Sequence, residues 1–158
     1  MKISYNWLND YLQIPVDVEV ASDILTSIGL EVEGVTELFS AFDHLVIGKI
    51  IDCVQHSNAD RLKVTKVDVG EKVLQIVCGA PNVSKNQFVA VVLPGKKLQT
   101  KNGELFKIQK TKIRGEISEG MICGEDEIGL RNSKQDGIME IHGTPKPGSL
   151  VKNWLKIQ

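Results

Sequence analysis

The stretch 61-RLKVTKVDVGEKVLQIVC-78 predicts two antiparallel strands joined by a tight turn at Gly70 and Glu71. Its apolar residues stand at positions 62 and 64 and then at 67 and 69, so the alternation changes phase within the first strand. A β-bulge, in which one extra residue turns the following side chains to the opposite face, would produce this change. The stretch therefore indicates a β domain with a bulge in the strand over 61–69.

Short apolar runs bounded by Gly, Pro and Asn continue on both sides of this hairpin. They predict strands at 45–54 (interrupted by Gly48), 61–69, 73–78, 88–93, 105–113, 121–123 and 138–141. Several short strands at this spacing, without a long helix between them, favour a small closed barrel. We expect a five-stranded Greek-key barrel of about a hundred residues.

The residues before the barrel predict two short helices and an edge strand. Ser4 is a suitable N-cap for a helix over 5–12, in which Trp7, Leu8, Tyr11 and Leu12 form an apolar stripe that would normally be buried. A second helix is expected over about 18–28, with Gly29 just after its end, and a strand over 30–38. The fold class is thus mainly β, with a small α+β appendage that must dock on something else because it buries little by itself.

Composition describes a water-soluble globular protein, since 42% of the 158 residues are apolar and 25% are charged. The formal net charge of −1 hides an asymmetry: residues 1–43 sum to −7 and residues 44–158 to +6. This change predicts a boundary near residue 43 and makes the basic part the candidate for a polyanionic partner. We assign residues 1–41 to the helical and extended segment, 42–151 to the barrel and 152–158 to the start of a following segment.

Other kinds of chemistry find little support in the sequence. The three histidines and three cysteines show no metal-ligand spacing, and no phosphate-loop, dinucleotide-binding or nucleophile-elbow motif occurs, so we predict neither a metal site nor catalysis here. The longest apolar run, 88–93, is too short to cross a bilayer. An odd number of widely spaced cysteines and a start without a secretory apolar region indicate a cytoplasmic protein.

Positive charge concentrates at 110-KTKIRGEISEGMIC-123, where Lys110, Lys112 and Arg114 recur at every second position. On one strand these cations would share a face with Phe106 and Ile108 and stand roughly 6.6 Å apart, close to the phosphate spacing of a nucleic-acid strand. Between residues 94 and 114 there are seven cations and one acid. The alternative is a solvated face that protects an edge strand from aggregation, and charge alone does not separate the two interpretations.

Aromatic residues are scarce beside these cations, since the basic part has only Phe88, Phe106 and Trp154 as rings apart from Phe42 at the boundary. Binding by base stacking is therefore poorly supported. Contacts to phosphate and to RNA shape, with apolar Met121 against a base, fit the sequence better.

Two parts of the chain resemble known families. The order of 56-HSNADRLKV-64, 76-IVCGAPNV-83, 92-VLPGKKL-98, 112-KIRGEISEGMIC-123 and 127-EIGL-130 resembles the EMAP-type tRNA-binding OB domain over about 42–151. The first part, 1-MKISYNWLNDYL-12 with 25-LTSIGLEVEGV-35, resembles the start of bacterial phenylalanyl-tRNA synthetase β subunits. The combination is more specific than either match alone and is typical of the N-terminal piece of such a subunit.

This resemblance implies a parent α2β2 enzyme that joins phenylalanine to tRNA with ATP and Mg²⁺, with its catalytic site in the α subunit and editing in later β domains. The implied partners are tRNA and the α subunit, not a membrane or DNA. The matching RNA-contact positions are Asn58, Lys112, Arg114, Ser118 and Met121; Lys110 is added because of its spacing. Two departures, Ser57 for a usual Pro and Gly124 for a small hydroxyl or methyl residue, are expected to weaken contacts at those points.

Two other functions stay open. The chain could serve mainly as a subunit-assembly module, in which case Trp7, Tyr11 and Leu12 should be exposed when the partner is absent. It could also be a stand-alone tRNA-binding OB protein, which the first 38 residues argue against and which the length of the native reading frame would decide.

Overall fold

The computed structural model of the chain describes residues 2–35, 40–99, 105–128, 130 and 137–155. They belong to two compact units, Met1–Leu38 and Phe39–Gln158.

The first unit consists of α1 (Tyr5–Leu12) and α2 (Val18–Ser27), which confirms both predicted helices. The Ser4 hydroxyl caps α1 by accepting a hydrogen bond from the Trp7 N–H, and Asp17 caps α2 in the same way. The two caps fix where the helices begin.

The edge strand predicted over 30–38 is wrong for residues 30–35, which have no regular secondary structure; residues 36–38 lie outside the described part. The Leu30 N–H donates to the Leu25 carbonyl at 2.9 Å, and the Val32 N–H donates to the Thr26 hydroxyl at 3.2 Å. The backbone N–H groups of these residues therefore donate hydrogen bonds to acceptors near the C-terminal end of α2 instead of pairing with a strand.

The apolar stripe of α1 is exposed within this unit, contrary to the expectation that it forms core. Trp7, Tyr11 and Leu12 are 60%, 71% and 64% exposed, and none of the residues of the two helices, all of which are described, is buried. Trp7 and Tyr11 contact each other edge to face, with 5.3 Å between ring centroids. The unit thus presents an apolar surface that its own helices do not cover.

The second unit is an OB-like barrel flanked by short helical segments, so the predicted fold class is confirmed. Its elements are a 3₁₀ helix (Ser40–His44), β1 (Leu45–Gln55), β2 (Lys63–Asp68), β3 (Val73–Cys78), β4 (Phe88–Val92), β5 (Lys97–Gln99), β6 (Leu105–Lys107), β7 (Thr111–Ile113), β8 (Glu116–Ser118), β9 (Met121–Ile122) and α3 (Val151–Leu155). Five strands form one antiparallel sheet in the order β3-β2-β1-β4-β9, which nearly closes into a barrel. Two further hairpins, β5–β6 and β7–β8, project from it.

The bulge lies on β1 and not on β2, where the sequence places it. Ile50 pairs with Val67 and Asp52 with Lys66, so Ile51 is the extra residue. The phase change in β2 has a different cause: Thr65 occupies an inward position and is fully buried, with its hydroxyl donating to the Ile76 carbonyl at 2.8 Å. A hydrogen-bonded threonine therefore fills a core position that the pattern assigns to an outward residue.

Two other predicted strands differ from the structure. The strand predicted over 105–113 is two short strands, β6 and β7, in different hairpins, separated by residues 108–110. Ile108 exchanges backbone hydrogen bonds with Gly95 and Lys96 and is buried, and this pulls the chain out of a continuous strand. The strand predicted over 138–141 is reduced to an isolated bridge between Val89 and Glu140.

Strand β4 has both faces buried, which explains why its sequence is continuously apolar. Val89 and Val91 face the cluster that contains Ile50 and Val67, whereas Ala90 and Val92 face a second cluster with Phe42 and the start of β1. The barrel interior and the flanking helical segments thus pack against opposite sides of one strand.

The barrel unit contains the three cysteines of the chain. Cys78 and Cys123 are buried free thiols, and burial raises the pKa of both, whereas Cys53 is half-buried. No helix in the described part of the chain combines the length and apolar character needed to cross a bilayer.

Replacing Gly48 by Ala should destabilise the barrel by about 2 kcal/mol, the usual cost of overpacking a filled core. The strand runs uninterrupted through Gly48, where an added Cβ would lie 2.5 Å from Val67 Cγ1 and 2.8 Å from Val91 Cγ2. Urea denaturation followed by far-UV circular dichroism measures the change. Gly34→Ala is the control, because a Cβ there meets nothing within 4 Å, and equal midpoints for the two variants would contradict the packing argument.

Candidate nucleic-acid interface

Strand β8 completes the barrel by bonding to the edge of β3 through both side-chain and backbone groups. The Val77 N–H donates to the Ser118 Oγ at 3.1 Å, and the Glu119 N–H donates to the Gln75 carbonyl at 2.7 Å. The Ser118 hydroxyl in turn donates to the Gly120 carbonyl at 3.2 Å, and the residue is only 3% exposed. Ser118, implied by resemblance to contact RNA, thus has its hydroxyl engaged inside the protein.

Strands β7 and β8 form a hairpin with a two-residue turn at Arg114 and Gly115. The register pairs Lys112 with Ile117 and Ile113 with Glu116. Both turn residues have positive φ, 48° for Arg114 and 103° for Gly115, as a type I′ turn requires. Glycine adopts this conformation freely, whereas an arginine there is strained. The turn places the Arg114 side chain at the exposed tip of the hairpin.

The three predicted cations do not form one row, so the expectation that they share a strand face is wrong. Lys110 lies outside the strands, and its Nζ is 2.7 Å from the Glu119 Oε1. Phe106 is 57% exposed while Ile108 is buried, so the alternation on which the row depended is broken before the cations begin. Lys112 and Arg114 are exposed and form no ion pair with any described residue.

The Lys110–Glu119 pair affects the carboxylate. The hydrogen bond from Lys110 is the main cause that lowers the pKa of Glu119, and a backbone hydrogen bond from Gln75 adds to it. Both groups are solvent-accessible, so the pair contributes little to stability. Lys110 therefore has an internal partner with which a phosphate would have to compete.

The loop between β1 and β2 reaches β7 through His56. The His56 Nδ1 accepts a hydrogen bond from the Asn58 N–H at 3.0 Å, and its Nε2 lies 3.4 Å from the Ile113 carbonyl oxygen. Asn58, a predicted RNA contact, is exposed on this loop, whereas His56 is buried. The structure thus connects Asn58 to the strand that contains Lys112.

An open groove of about 660 Å³ lies beside the hairpin, bounded by the end of β3 with the following loop, by residues 106–109 and by residues 118–127. Ser118 and Met121 line it. Among its described lining residues the charged ones are Lys107, Asp126 and Glu127, so the groove is not a cationic channel. Phe106 and Met121 give it apolar surface.

The six predicted residues therefore fall into four places. Ser118 and Met121 line the groove; Lys112 and Arg114 lie on the hairpin outside its lining; Asn58 lies on the 56–62 loop, and Lys110 is paired with Glu119. His56 and Gln75, which fix the hairpin and the loop, were missed by sequence reasoning. The sequence signal was weak, because His56 directly follows the end of β1 and Gln75 stands between the inward residues Leu74 and Ile76 of β3, where a polar residue is usual.

Metal or cofactor ligands are not grouped in the described residues: no cluster of three or more His, Cys, Asp or Glu side chains is placed to hold a metal ion there. The exposed Lys112 and Arg114 are able to make cationic contacts with a polyanion.

Comparison with known proteins gives one family match. Residues 45–150 match the family described as "Putative tRNA binding domain". The chain is also 44% identical to the phenylalanine–tRNA ligase β subunit of Bacteroides fragilis, covering 100% of this chain and 20% of that protein. The corresponding subunit of Pectobacterium atrosepticum is 44% identical over 99% of this chain and 19% of its own length. The chain thus spans about a fifth of the length of these relatives.

Among solved structures, the C-terminal domain of Plasmodium vivax p43 superposes with a TM-score of 0.48 at 22% identity, covering 67% of this chain and 57% of that one.

Replacing Lys110 by Met should raise the pKa of Glu119 towards its ordinary value, because the largest cause of the lowering is removed. A carboxyl pKa that is lower in the folded state stabilises the fold above the ordinary glutamate pKa, and this contribution is lost as pH falls through the lowered value. Carbon-13 NMR titration of the Glu119 carboxyl measures the shift. Lys112→Met, which removes an equal charge without this contact, should leave that pKa nearly unchanged. If wild type and Lys110→Met had the same Glu119 pKa, the assignment would be refuted.

Proposed function

Since this chain belongs to the family of tRNA-binding domains, we propose that its barrel binds transfer RNA through the β7–β8 hairpin and the 56–62 loop. The observation that carries the proposal is the exposure of Lys112 and Arg114 without an ion-pair partner among the described residues. Cations left free on a protruding hairpin can neutralise phosphates without breaking internal bonds, which is the main source of affinity for nucleic acids.

The proposed roles follow from where each side chain lies. Lys112 and Arg114 contact phosphates, and Asn58 adds a polar contact. Met121 packs against a base at the groove. Ser118 positions the hairpin, and Lys110 binds phosphate only by leaving Glu119. The guanidinium of Arg114 suits a phosphate because its planar fork can bind two oxygens.

We propose that the barrel recognises the backbone and shape of tRNA. Among the described residues of the barrel unit the exposed rings are Phe106 and Trp154, and so few rings favour recognition through phosphate and shape over stacking of successive bases. Recognition by shape and backbone is typical of proteins that bind folded RNA. We propose binding with little dependence on base sequence.

We further propose that the chain is part of the β subunit of a phenylalanine–tRNA ligase, on the basis of 44% identity to two such subunits over nearly all of its residues. In this proposal the whole cytoplasmic α2β2 enzyme joins phenylalanine to tRNA with ATP and Mg²⁺, and the α subunit supplies the catalytic site. Residues 1–41 pack with the rest of the subunit, 42–151 bind tRNA and 152–158 begin the next segment. The present chain is not catalytic.

A second candidate function is subunit assembly, which is favoured by the exposed side chains of Trp7, Tyr11 and Leu12. An apolar surface of this kind commonly marks a protein contact. Sizing the chain beside the tRNA titration separates the two functions: a monomer that binds tRNA supports RNA binding, and self-association without tRNA binding supports assembly.

Replacing Lys112 and Arg114 together by Ala should lower the slope of log K against log salt for tRNA binding by about 1.4, from about 0.7 for each single-stranded phosphate contact. Filter binding of deacylated tRNA by the 158-residue chain, across a series of salt concentrations, measures the slope.

A charge-matched control is Lys85→Ala with Lys146→Ala, since both lysines are exposed and lie outside the hairpin. The control removes the same net charge and should leave the slope close to that of wild type. Equal slopes for the hairpin variant and wild type would remove the hairpin from the interface.

A further inference from the structure

His56 is a buried polar residue whose two ring nitrogens both have partners. It is 3% exposed, its Nδ1 is 3.0 Å from the Asn58 backbone nitrogen and its Nε2 is 3.4 Å from the Ile113 carbonyl oxygen. Because Nδ1 accepts from an N–H, it must be unprotonated, and in the neutral ring the proton then lies on Nε2. The ring therefore donates from Nε2 to the Ile113 carbonyl.

The loop that begins at His56 is braced internally. The His56 N–H donates to the Leu62 carbonyl at 3.0 Å, and the Gln55 Nε2 donates to the Ala59, Asp60 and Leu62 carbonyls at 2.9–3.1 Å. A loop held in this way moves as one piece. Its contact to β7 through His56 consequently determines where Asn58 lies relative to the hairpin.

We propose that His56 is a positioning residue for RNA binding, which fixes Asn58 on the loop relative to Lys112 and Arg114 on either side of Ile113. The inference rests on the proposed function. A side chain that bonds to Asn58 on one side and to Ile113 on the other joins two segments 57 residues apart into one surface. A surface whose contacts are fixed in advance loses less entropy on binding than two independently moving segments.

Two substitutions separate the two hydrogen bonds. His56→Asn keeps an acceptor close to the Nδ1 position, able to form an Asx turn with the Asn58 N–H, but cannot reach Ile113. His56→Gln keeps a donor close to the Nε2 position but loses the bond to the loop. We expect each variant to bind tRNA about fivefold more weakly, the equivalent of about one net hydrogen bond.

The salt dependence of tRNA binding distinguishes a positioning residue from a phosphate contact. Loss of a phosphate contact changes the slope of log K against log salt, whereas loss of a positioning residue does not. Since Lys112 and Arg114 remain in place, the His56 variants should keep the wild-type slope of log K against log salt and lose affinity equally at every salt concentration. Asn58→Ala should weaken wild type but add little to either His56 variant, because Asn58 contributes only when it is held in place.

Thr65→Val is the matched structural control, since it removes another buried hydrogen bond, the one from β2 to the Ile76 carbonyl of β3. It should lower the urea midpoint as the His56 variants do and leave tRNA affinity unchanged when all proteins are measured in their folded range. Equal loss of affinity in Thr65→Val, or additive effects of Asn58→Ala, would overturn the positioning role.

A measurement on wild type covers the case in which the His56 variants do not fold. Nitrogen-15 NMR of the imidazole should show protonated Nε2 and unprotonated Nδ1, and tRNA should shift the Asn58 and Ile113 amides with one apparent Kd. The opposite tautomer, or shifts at only one of the two amides, would overturn the inference. If wild type binds no tRNA at all, the proposed function itself fails, and the two failures are thereby distinguished.

Discussion

The seam between β3 and β8 is the contact on which the rest of the barrel unit depends. At this seam the Ser118 hydroxyl accepts the Val77 N–H and the Gln75 carbonyl accepts the Glu119 N–H, so the last side of the barrel is closed by hydrogen bonds that involve side chains instead of a full backbone ladder. Leaving the buried Val77 N–H without a partner would cost about 1–3 kcal/mol. The same seam carries the β7–β8 hairpin, and opening it would release the free cations from the barrel.

The Gln75 side chain adds two hydrogen bonds across this seam. Its Nε2 donates to the Glu116 Oε2 and to the Ile117 carbonyl, both at 3.0 Å, and so holds the hairpin at the side of β3. Side chains alternate along β7, and Ile113 lines the groove while Lys112 does not. The phosphate contact proposed for Lys112 and the groove therefore lie on different sides of β7, and an RNA strand that used both would pass over the edge of the hairpin.

The sequence predicted the barrel because its main signal, alternation of apolar residues between turn residues, is local and strong. It failed where a specific contact between neighbouring segments decided the outcome. Thr65 fills a core position because the Ile76 carbonyl accepts its hydroxyl, and Ile108 breaks a continuous strand because Gly95 and Lys96 pair with it. The candidate cations were found from spacing, but their arrangement depended on Glu119, which takes Lys110 out of the row. Lys110 and Glu119 are 9 residues apart and Thr65 and Ile76 are 11 apart, but the sequence pattern does not show which side chains and carbonyls meet in space.

The positive φ of Arg114 lacks the local structural reason that the other described non-glycine residues with positive φ have. Gln13 ends α1, where its N–H bonds to the Asn9 carbonyl, and Asn86 is of a residue type that tolerates this conformation. Arg114 stands in a turn that Asn or Gly would occupy at lower cost, by about 1 kcal/mol, and it gains no ion pair among the described residues. A strained residue without an internal contact to offset the cost is typical of a functional position. A phosphate bound at the tip of the hairpin would provide the compensating interaction from outside the protein, since a guanidinium is the side chain best shaped to hold it.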